Sequence, residues 1–380
     1  ARALKPAKTK GLDAAQRAAT EALRWLAAHQ SPDGRWSATE FGHWCDGKRQ
    51  KPENAKKEGH GEAVYDVGLT GLALQAFLAA GYTQRGKHDH AGVVGRGLAY
   101  LVKRQDRYGG FGKNRAQQWI YNHAMATLAV VEAAGMTGSQ TFLRSAQRAL
   151  DFAAAQRNPD FVWRYGLGQK RVNDTHISSW LVLVFRAADM VNAAATKSGK
   201  PAPFKVDAAA YGGMARWLDR VTDPDYGTVG YLVRGAGPAR VHSRIHDFPA
   251  DYSQSLTAAG VFVRHLLGDG KKHHVVIKRG LKAMSYLLPQ WKSGGHIDLM
   301  YWHWGSLATW QVGAADWKAW KKALESAVLP NQRSGGTFCR YRGSWDPIDP
   351  WSPEGGRVYA TAIICTSLLA ATRYERTPPH

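Results

Sequence analysis

Cysteine is scarce in this chain: three residues, Cys45, Cys339 and Cys365, among 380. Three thiols are too few for a disulfide framework. Cys365 lies in an apolar stretch and reads as a buried thiol. Acidic residues are also few, 30 against 51 Lys and Arg, giving a formal net charge of +21. That imbalance favours anionic partners such as acidic glycans, diphosphates, nucleic acid or an anionic membrane surface. The basic residues are scattered, as at Lys48 and Arg49, Lys271 and Lys272, and Lys321 and Lys322. No nucleic-acid motif accompanies them, so nucleic acid ranks low. No apolar run reaches the length of a membrane span, which leaves peripheral contact as the membrane role. His-Glu-x-x-His, a Gly-rich phosphate loop and Gly-x-Ser-x-Gly are all missing, which removes the chemistries those motifs announce. His43, Cys45 and His60 share a long loop, but their spacing matches no known metal site. The chain begins at Ala1 and not Met, which reads as a processed start, with secretion or a periplasmic location one route to it. Residues 1–11 read as a flexible segment.

What the chain has in quantity is self-similarity. Gln30-Ser31-Pro32-Asp33-Gly34-Arg35-Trp36 follows an amphipathic helical pattern directly. A helix ending at Gln105 runs into Gly109-Gly110-Phe111-Gly112, and another ends at Gln156 before Trp163. A weaker copy runs from Trp217 to Gly227 and Tyr231. Two late copies are Gln290 with Gly294-Gly295, and Gln332 with Gly335-Gly336 leading to Trp345. Repeats at this spacing decide the architecture before any single motif does. Each copy precedes a second, more apolar helix, beginning near Tyr65, Ile120, Thr175, Tyr252, Tyr301 and Val358. A helix that is apolar nearly all round belongs inside, and an amphipathic one outside. Six outer and six inner helices in alternation predict an all-α (α/α)6 toroid, read as one domain over residues 1–380. The stretches from Gly47 to Gly61 and from Ala193 to Lys205 read as surface insertions. Ring closure makes the first and last repeats neighbours, so Cys45 and Cys339 are placed where one disulfide is conceivable.

These Gln-x-x-x-Gly-x-Trp turns, set between outer and inner helices, resemble the repeats of squalene and oxidosqualene cyclases and of protein prenyltransferase β subunits. The resemblance covers about Ala14 to Tyr374. It implies a central cavity at the N-termini of the inner helices, where isoprenoid substrates sit. The Asp-x-Asp-Asp proton donor of the cyclases is absent; Asp247 and Asp251 are too far apart to match it. The prenyltransferase zinc site is also altered. Asp298 is kept, but Met300 stands at the Cys position and Ala360 at the His position, and thioether and methyl do not replace thiolate and imidazole on zinc. No metal and no cofactor is expected.

Aligned by pattern, the first turns of the inner helices offer Asp66, Tyr121, Asn122, His123, Asp174, His176, Tyr252, Tyr301, Trp302, His303, Arg357 and Tyr359. Tyr65 and Ser253 fall in the same zone, and nearby loops add Arg171, His242, Arg244 and His246. An ordinary core has Leu or Val at such positions, because buried polar groups are costly unless satisfied. Helix capping is the bland explanation for Asp66, Asp174 and Ser253. Histidine caps poorly and exchanges protons near neutral pH, so His123 and His176 are the acid–base candidates, oriented by Asp174 or Asp66. Most of the 15 Trp fit packing between repeats, Trp25, Trp36, Trp217, Trp317, Trp320 and Trp345 among them. Trp119, Trp302 and Trp304 fall closer to the expected cavity.

Three functions stay open. One is a cyclase- or prenyltransferase-like cavity for an isoprenoid-type or anionic-headed small molecule, with acid–base chemistry from His123, Asp174 and His176. Another is a lyase for an acidic, uronate-bearing polysaccharide, in which Asn122 and Arg244 neutralise the carboxylate and His123 and Tyr252 move protons. The last is a non-catalytic binding scaffold. A deep aromatic pocket favours the first, a wide electropositive cleft the second, and a cavity plugged by Trp and Tyr the third.

Overall fold

The computed structural model describes residues 12–51, 59–112, 119–159, 161–164, 172–237 and 239–374. Residues 1–11, Arg171 and the side chain of His242 lie outside that description. Helix formation follows the two kinds of apolar pattern. The outer helices are α1 (Ala14–Ala28), α3 (Ala91–Arg104), α5 (Gln140–Ala155), α7 (Ala209–Val221), α9 (His274–Ser285) and α11 (Ala314–Val328). In α1 the buried residues Ala15, Ala18, Ala19, Ala22, Leu23 and Leu26 recur every three or four positions, which is the spacing of one helix face. Asp13 and Gln16 form a capping box at its start, satisfying two orphan amides.

The inner helices are α2 (Asp66–Ala79), α4 (Trp119–Thr137), α6 (Thr175–Lys197), α8 (Ser255–Leu266), α10 (Leu299–Val312) and α12 (Ser352–Leu368). Every residue of α2 from Gly68 to Ala79 is buried. Gly71 shows why small residues recur there: a Cβ on it would meet the Ala126 nitrogen of α4 at 2.6 Å. The inner helices pack in sequence, α2 on α4, α4 on α6, α6 on α8, α8 on α10 and α10 on α12. Helix α12 then returns to pack on both α2 and α1, which closes the ring. The fold is an all-α toroid of six helix pairs, as the repeat pattern predicts. A short α13 (Ala370–Arg373) ends the described chain.

Three boundaries depart from the sequence reading. Helix α8 starts at Ser255, because residues 250–252 form a separate 3-10 turn. Helix α12 starts earlier, at Ser352, but bends at Gly356 with φ of 61°, so its straight part begins near Val358 as expected. Ala193 to Lys197 continue α6 and are not part of an insertion. Helix α6 is also the one described helix long and apolar enough by composition to cross a membrane. It stands between α4 and α8 in the ring, with Thr175 to Phe185 buried by protein.

The repeated turn makes the same tie at three of its copies. The Gln30 amide donates to Gly34 O and to Val93 O of α3, both at 2.9 Å. Gln105 does the same with Gly109 O and Ser145 O of α5. Gln332 donates to Gly343 O and to Ala18 O of α1, tying the last repeat to the first. Gly34 has φ of +96°, a conformation that glycine adopts without strain. The Trp36, Trp163 and Trp345 indoles donate to carbonyls at the ends of the preceding outer helices, Leu26, Ala153 and Val328. Those carbonyls lie in the last turn, where the i+4 helical donor is missing; Leu26 O and Ala153 O also take the cap amides of His29 and Gln156. Cys45, on a two-stranded hairpin of β1 (Trp44–Cys45) and β2 (Lys48–Arg49), is joined to Cys339 by a disulfide. Cys365 is free and buried.

Candidate functional site

The turns deliver each chain segment to the N-terminal end of an inner helix, so the polar first turns collect on one face of the ring. A cavity of about 80 Å3 opens there. Its walls are Tyr65, Gly68 and Leu69 from repeat one, Tyr121, Asn122 and Met125 from repeat two, and His176 from repeat three. Met300 of repeat five and Trp351, Glu354, Gly355 and Tyr359 of repeat six complete it. Of the residues named from sequence in the first-turn zone, the cavity brings together Tyr65, Tyr121, Asn122, His176 and Tyr359. Its lining is predominantly apolar and aromatic.

The other candidates are placed elsewhere, and all but His246, which is exposed, have a structural partner. His123 is fully buried behind the wall. Its Nδ1 accepts the Phe111 amide at 3.2 Å, and its Nε2 lies 3.2 Å from Ala149 O. That fixes the tautomer, with the proton on Nε2 donated to the carbonyl. In other repeats the same post is held by a hydroxyl: Thr70 accepts from Trp36 N, Ser178 from Trp163 N, Thr257 from Val229 N and Thr361 from Trp345 N. His123 is the repeat-two version of that tie. Burial pushes its pKa down to about 4, so the ring stays neutral.

The carboxylates are ties as well. Asp174 caps α6 through His176 N and Ile177 N and faces Arg164 at 3.9 Å. Asp66 accepts the Ala38 amide at 2.8 Å and faces Arg35 at 3.6 Å. Burial raises both to about 6. Asp298 caps α10 through Tyr301 N, accepts from Ser253 and pairs with Arg240 at 2.7 Å. Burial opposes its ionisation, but the Arg240 guanidinium and these hydrogen bonds outweigh it and hold its pKa below the ordinary value.

Tyr301 is buried edge-on to Trp320, with its hydroxyl donating to Met284 O. Trp302 is buried beside Trp291. His303 stacks on Trp180 with ring centres 5.6 Å apart, on the inner helices α10 and α6. Trp304 packs on Trp180 at 4.8 Å, and Trp119 packs on Phe152. Arg357 is buried, pairs with Asp346 at 2.8 Å and lies over the Tyr341 ring. Tyr252 is 37% exposed and stacks on His296, and His246 is exposed. Arg244 reaches repeat six, donating to Pro350 O and pairing with Glu354 at 2.6 Å. Asn122 accepts the Gly68 amide and donates to Val64 O, which fills its amide at both ends.

Sequence reasoning missed four residues at this face: Arg240, Asp349, Trp351 and Glu354. Asp349 is fully buried. It accepts from Leu299 N at 3.0 Å, from Ser352 Oγ at 2.6 Å and from the Tyr359 hydroxyl at 3.2 Å. Burial first, and the charge of Asp298 second, raise its pKa to about 7. Arginines face Asp66, Asp174, Asp298 and Glu354, but among the described residues no cation pairs with Asp349. The available signal was Asp349-Pro350, a turn-initiating pair just ahead of an apolar helix. Among the described residues, one group has metal-ligand types at close range, Cys45, Asp46 and Cys339. Its two sulfurs are bonded to each other.

No protein-family profile and no curated protein sequence matches the chain. Solved structures do. An inactive variant of an α-1,6-mannanase from Salegentibacter sp., in complex with α-1,6-mannotriose, superposes with a TM-score of 0.59 at 10% identity, covering 95% of this chain and 99% of that one. An α-amylase from Clostridium perfringens gives 0.55 at 10% identity, over 94% and 98%. A variant of a type II terpene cyclase from Scytonema, bound to geranylgeranyl dihydroxybenzoate, gives 0.53 at 15% identity, over 94% and 97%. The chain shares their toroidal fold. Fold at such identities does not carry function, which lives in the site.

Proposed function

We propose that this chain is a ligand-binding toroid that takes the apolar end of an isoprenoid-type molecule into the cavity at the inner-helix N-termini. The observation that carries this reading is the wall itself, with Tyr65, Tyr121, Trp351 and Tyr359 standing beside Leu69, Met125 and Met300. Such a surface gains by shedding water onto an apolar group. At about 80 Å3 the space suits one end of such a ligand, with the rest extending outward. An anionic head finds little here, because Arg240 and Arg244 are each already paired with a carboxylate. His176 is the candidate acid–base residue that meets the ligand. In this reading His123 and Asp174 belong to the scaffold that holds it.

An oligosaccharide reading draws on a different feature. The Tyr252–His296 stack, with ring centres 4.0 Å apart, offers a half-exposed aromatic platform of the kind sugars lie on. The uronate-lyase version needs Asn122, His123, Arg244 and Tyr252 around one carboxylate, and their partners lie in different repeats.

A thermal-shift panel separates these readings. Isoprenoid alcohols and diphosphates are compared with uronate-rich oligosaccharides and mannooligosaccharides, at low and near-physiological salt. Ligand at about 100 times its Kd adds about 2.7 kcal/mol to native stability. A rise in Tm with isoprenoids that survives salt is expected. A rise with glycans alone would overturn the reading.

A further inference from the structure

Several polar groups of the cavity wall are already engaged. Asn122 is filled at both ends, the Tyr359 hydroxyl donates to Asp349, and Glu354 is paired with Arg244. The Tyr121 hydroxyl lies 3.3 Å from His176 Nδ1. Two atoms are not engaged. Neither Nε2 of His176 nor Nε1 of Trp351 has a hydrogen-bond partner, and both are shielded from solvent. Their rings are neighbours, with centres 5.7 Å apart. A buried polar atom without a hydrogen-bond partner is costly, so two at one cavity mark missing partners.

We infer that the ligand of this cavity carries a hydroxyl on the end that enters it, received jointly by the indole N–H of Trp351 and Nε2 of His176. The inference rests on the binding role proposed above. Indole is a donor only, so the ligand atom it meets must accept. Neutral imidazole offers a donor on one nitrogen and an acceptor on the other, and Tyr121 occupies Nδ1. If Tyr121 accepts from Nδ1, Nε2 is an acceptor. If Tyr121 donates, Nε2 carries the proton. A hydroxyl oxygen, with two acceptor sites and one proton, satisfies both arrangements. An ether or ketone satisfies only the second. A carboxylate is disfavoured by Glu354 in the same wall and by the apolar lining.

Titration calorimetry with geraniol, its parent hydrocarbon, geranyl methyl ether and geranate tests this. Geraniol is expected to bind about tenfold more tightly than the hydrocarbon, the worth of one or two net hydrogen bonds. Trp351→Phe keeps an aromatic ring and removes the N–H, and it should reduce that preference severalfold. His176→Phe provides the second variant, and an unchanged melting temperature certifies each fold. Equal binding of geraniol and hydrocarbon sinks the hydroxyl inference alone. So does a preference that survives in both folded variants, or tightest binding by geranate. Binding of none of the four sinks the cavity reading and this inference together.

Discussion

The ring is closed at both of its ends, by different chemistry. At the face with the cavity, the disulfide Cys45–Cys339 joins the first repeat to the last across a sequence separation of 294. At the opposite end, Arg373 of α13 lies over the ends of α2 and α4. It pairs with Glu132 at 3.0 Å and donates to Gln75 Oε1 at 2.8 Å, while the Tyr374 hydroxyl donates to Glu132 at 2.7 Å. One closure is covalent and constrains the unfolded chain. The other is ionic, nearly solvent-free, and exists only once three repeats have met. The cavity lies at the covalently closed end. There the polar groups of the helix starts can be spent on lining a site, because the ring does not depend on them alone to stay shut.

The largest effect is expected from breaking the ionic closure. Glu132→Ala strands a guanidinium that is 2% exposed. Removing one member of a buried pair costs about 3–5 kcal/mol, most of it the penalty of the orphaned charge. Denaturant unfolding should show this as a lower midpoint with an unchanged slope. Glu132→Gln keeps a hydrogen-bond acceptor and should recover part of the loss. If Glu132→Ala unfolds like the parent, the cluster contributes nothing and the two ends are not comparable closures.

The covalent closure comes next. Reducing the disulfide, or the double substitution Cys45→Ser with Cys339→Ser, should cost about 2–5 kcal/mol, mainly through a freer unfolded chain. Ligand affinity should change little if the cavity is held by the inner helices and not by the hairpin. Loss of geraniol binding in the reduced, still-folded protein would show instead that the disulfide shapes the site.

The two closures also differ in how readable they are. Helical period and the Gln-Gly-Trp turns suffice to place Cys45 and Cys339 in adjacent repeats of a ring, leaving only the bond itself open. Nothing local marks Arg373. Its partners lie 241 and 298 residues away in sequence, and Gln75 and Glu132 sit within helices that read as apolar. The same divide runs through the site. The inner-helix starts were legible as the polar zone, and Tyr121, Asn122, His176 and Tyr359 came from it. Whether a polar residue there faces the cavity or ties the repeats together depends on a quarter-turn of helix. Pattern alignment at ±1 residue does not resolve that difference. His123 is the instructive case. Its register equivalence to Thr70, Ser178, Thr257 and Thr361 was present in the sequence, but four hydroxyls and one imidazole do not look like one motif until their shared backbone donor is seen. Asp349 was hidden for a related reason, because it acts from the turn before its helix and not from the first turn itself.

Asp349 gives the smallest and sharpest test of the cavity end. Its carboxyl ordinarily titrates at 3.8 and is raised to about 7 in the fold by burial and by Asp298. A raised carboxyl is bound to its proton more tightly in the native state than in the unfolded one. Its contribution to stability is therefore complete below the unfolded value and is lost as pH rises through about 7. The groups facing it set this sign. Asp298 repels it, Ser352, Tyr359 and Leu299 N donate to it, and no described cation pairs with it. Asp349→Asn removes the titration and keeps the shape. The stability difference between variant and parent should then shift in favour of the variant as pH rises from about 4 to about 7, by an amount on the order of 1–3 kcal/mol. The histidines held neutral by burial act in the opposite sense on acidification but cancel in that difference, because both proteins carry them. A stability difference that stays flat from about pH 4 to about pH 7 would mean that the proton on Asp349 is not a feature of the cavity face.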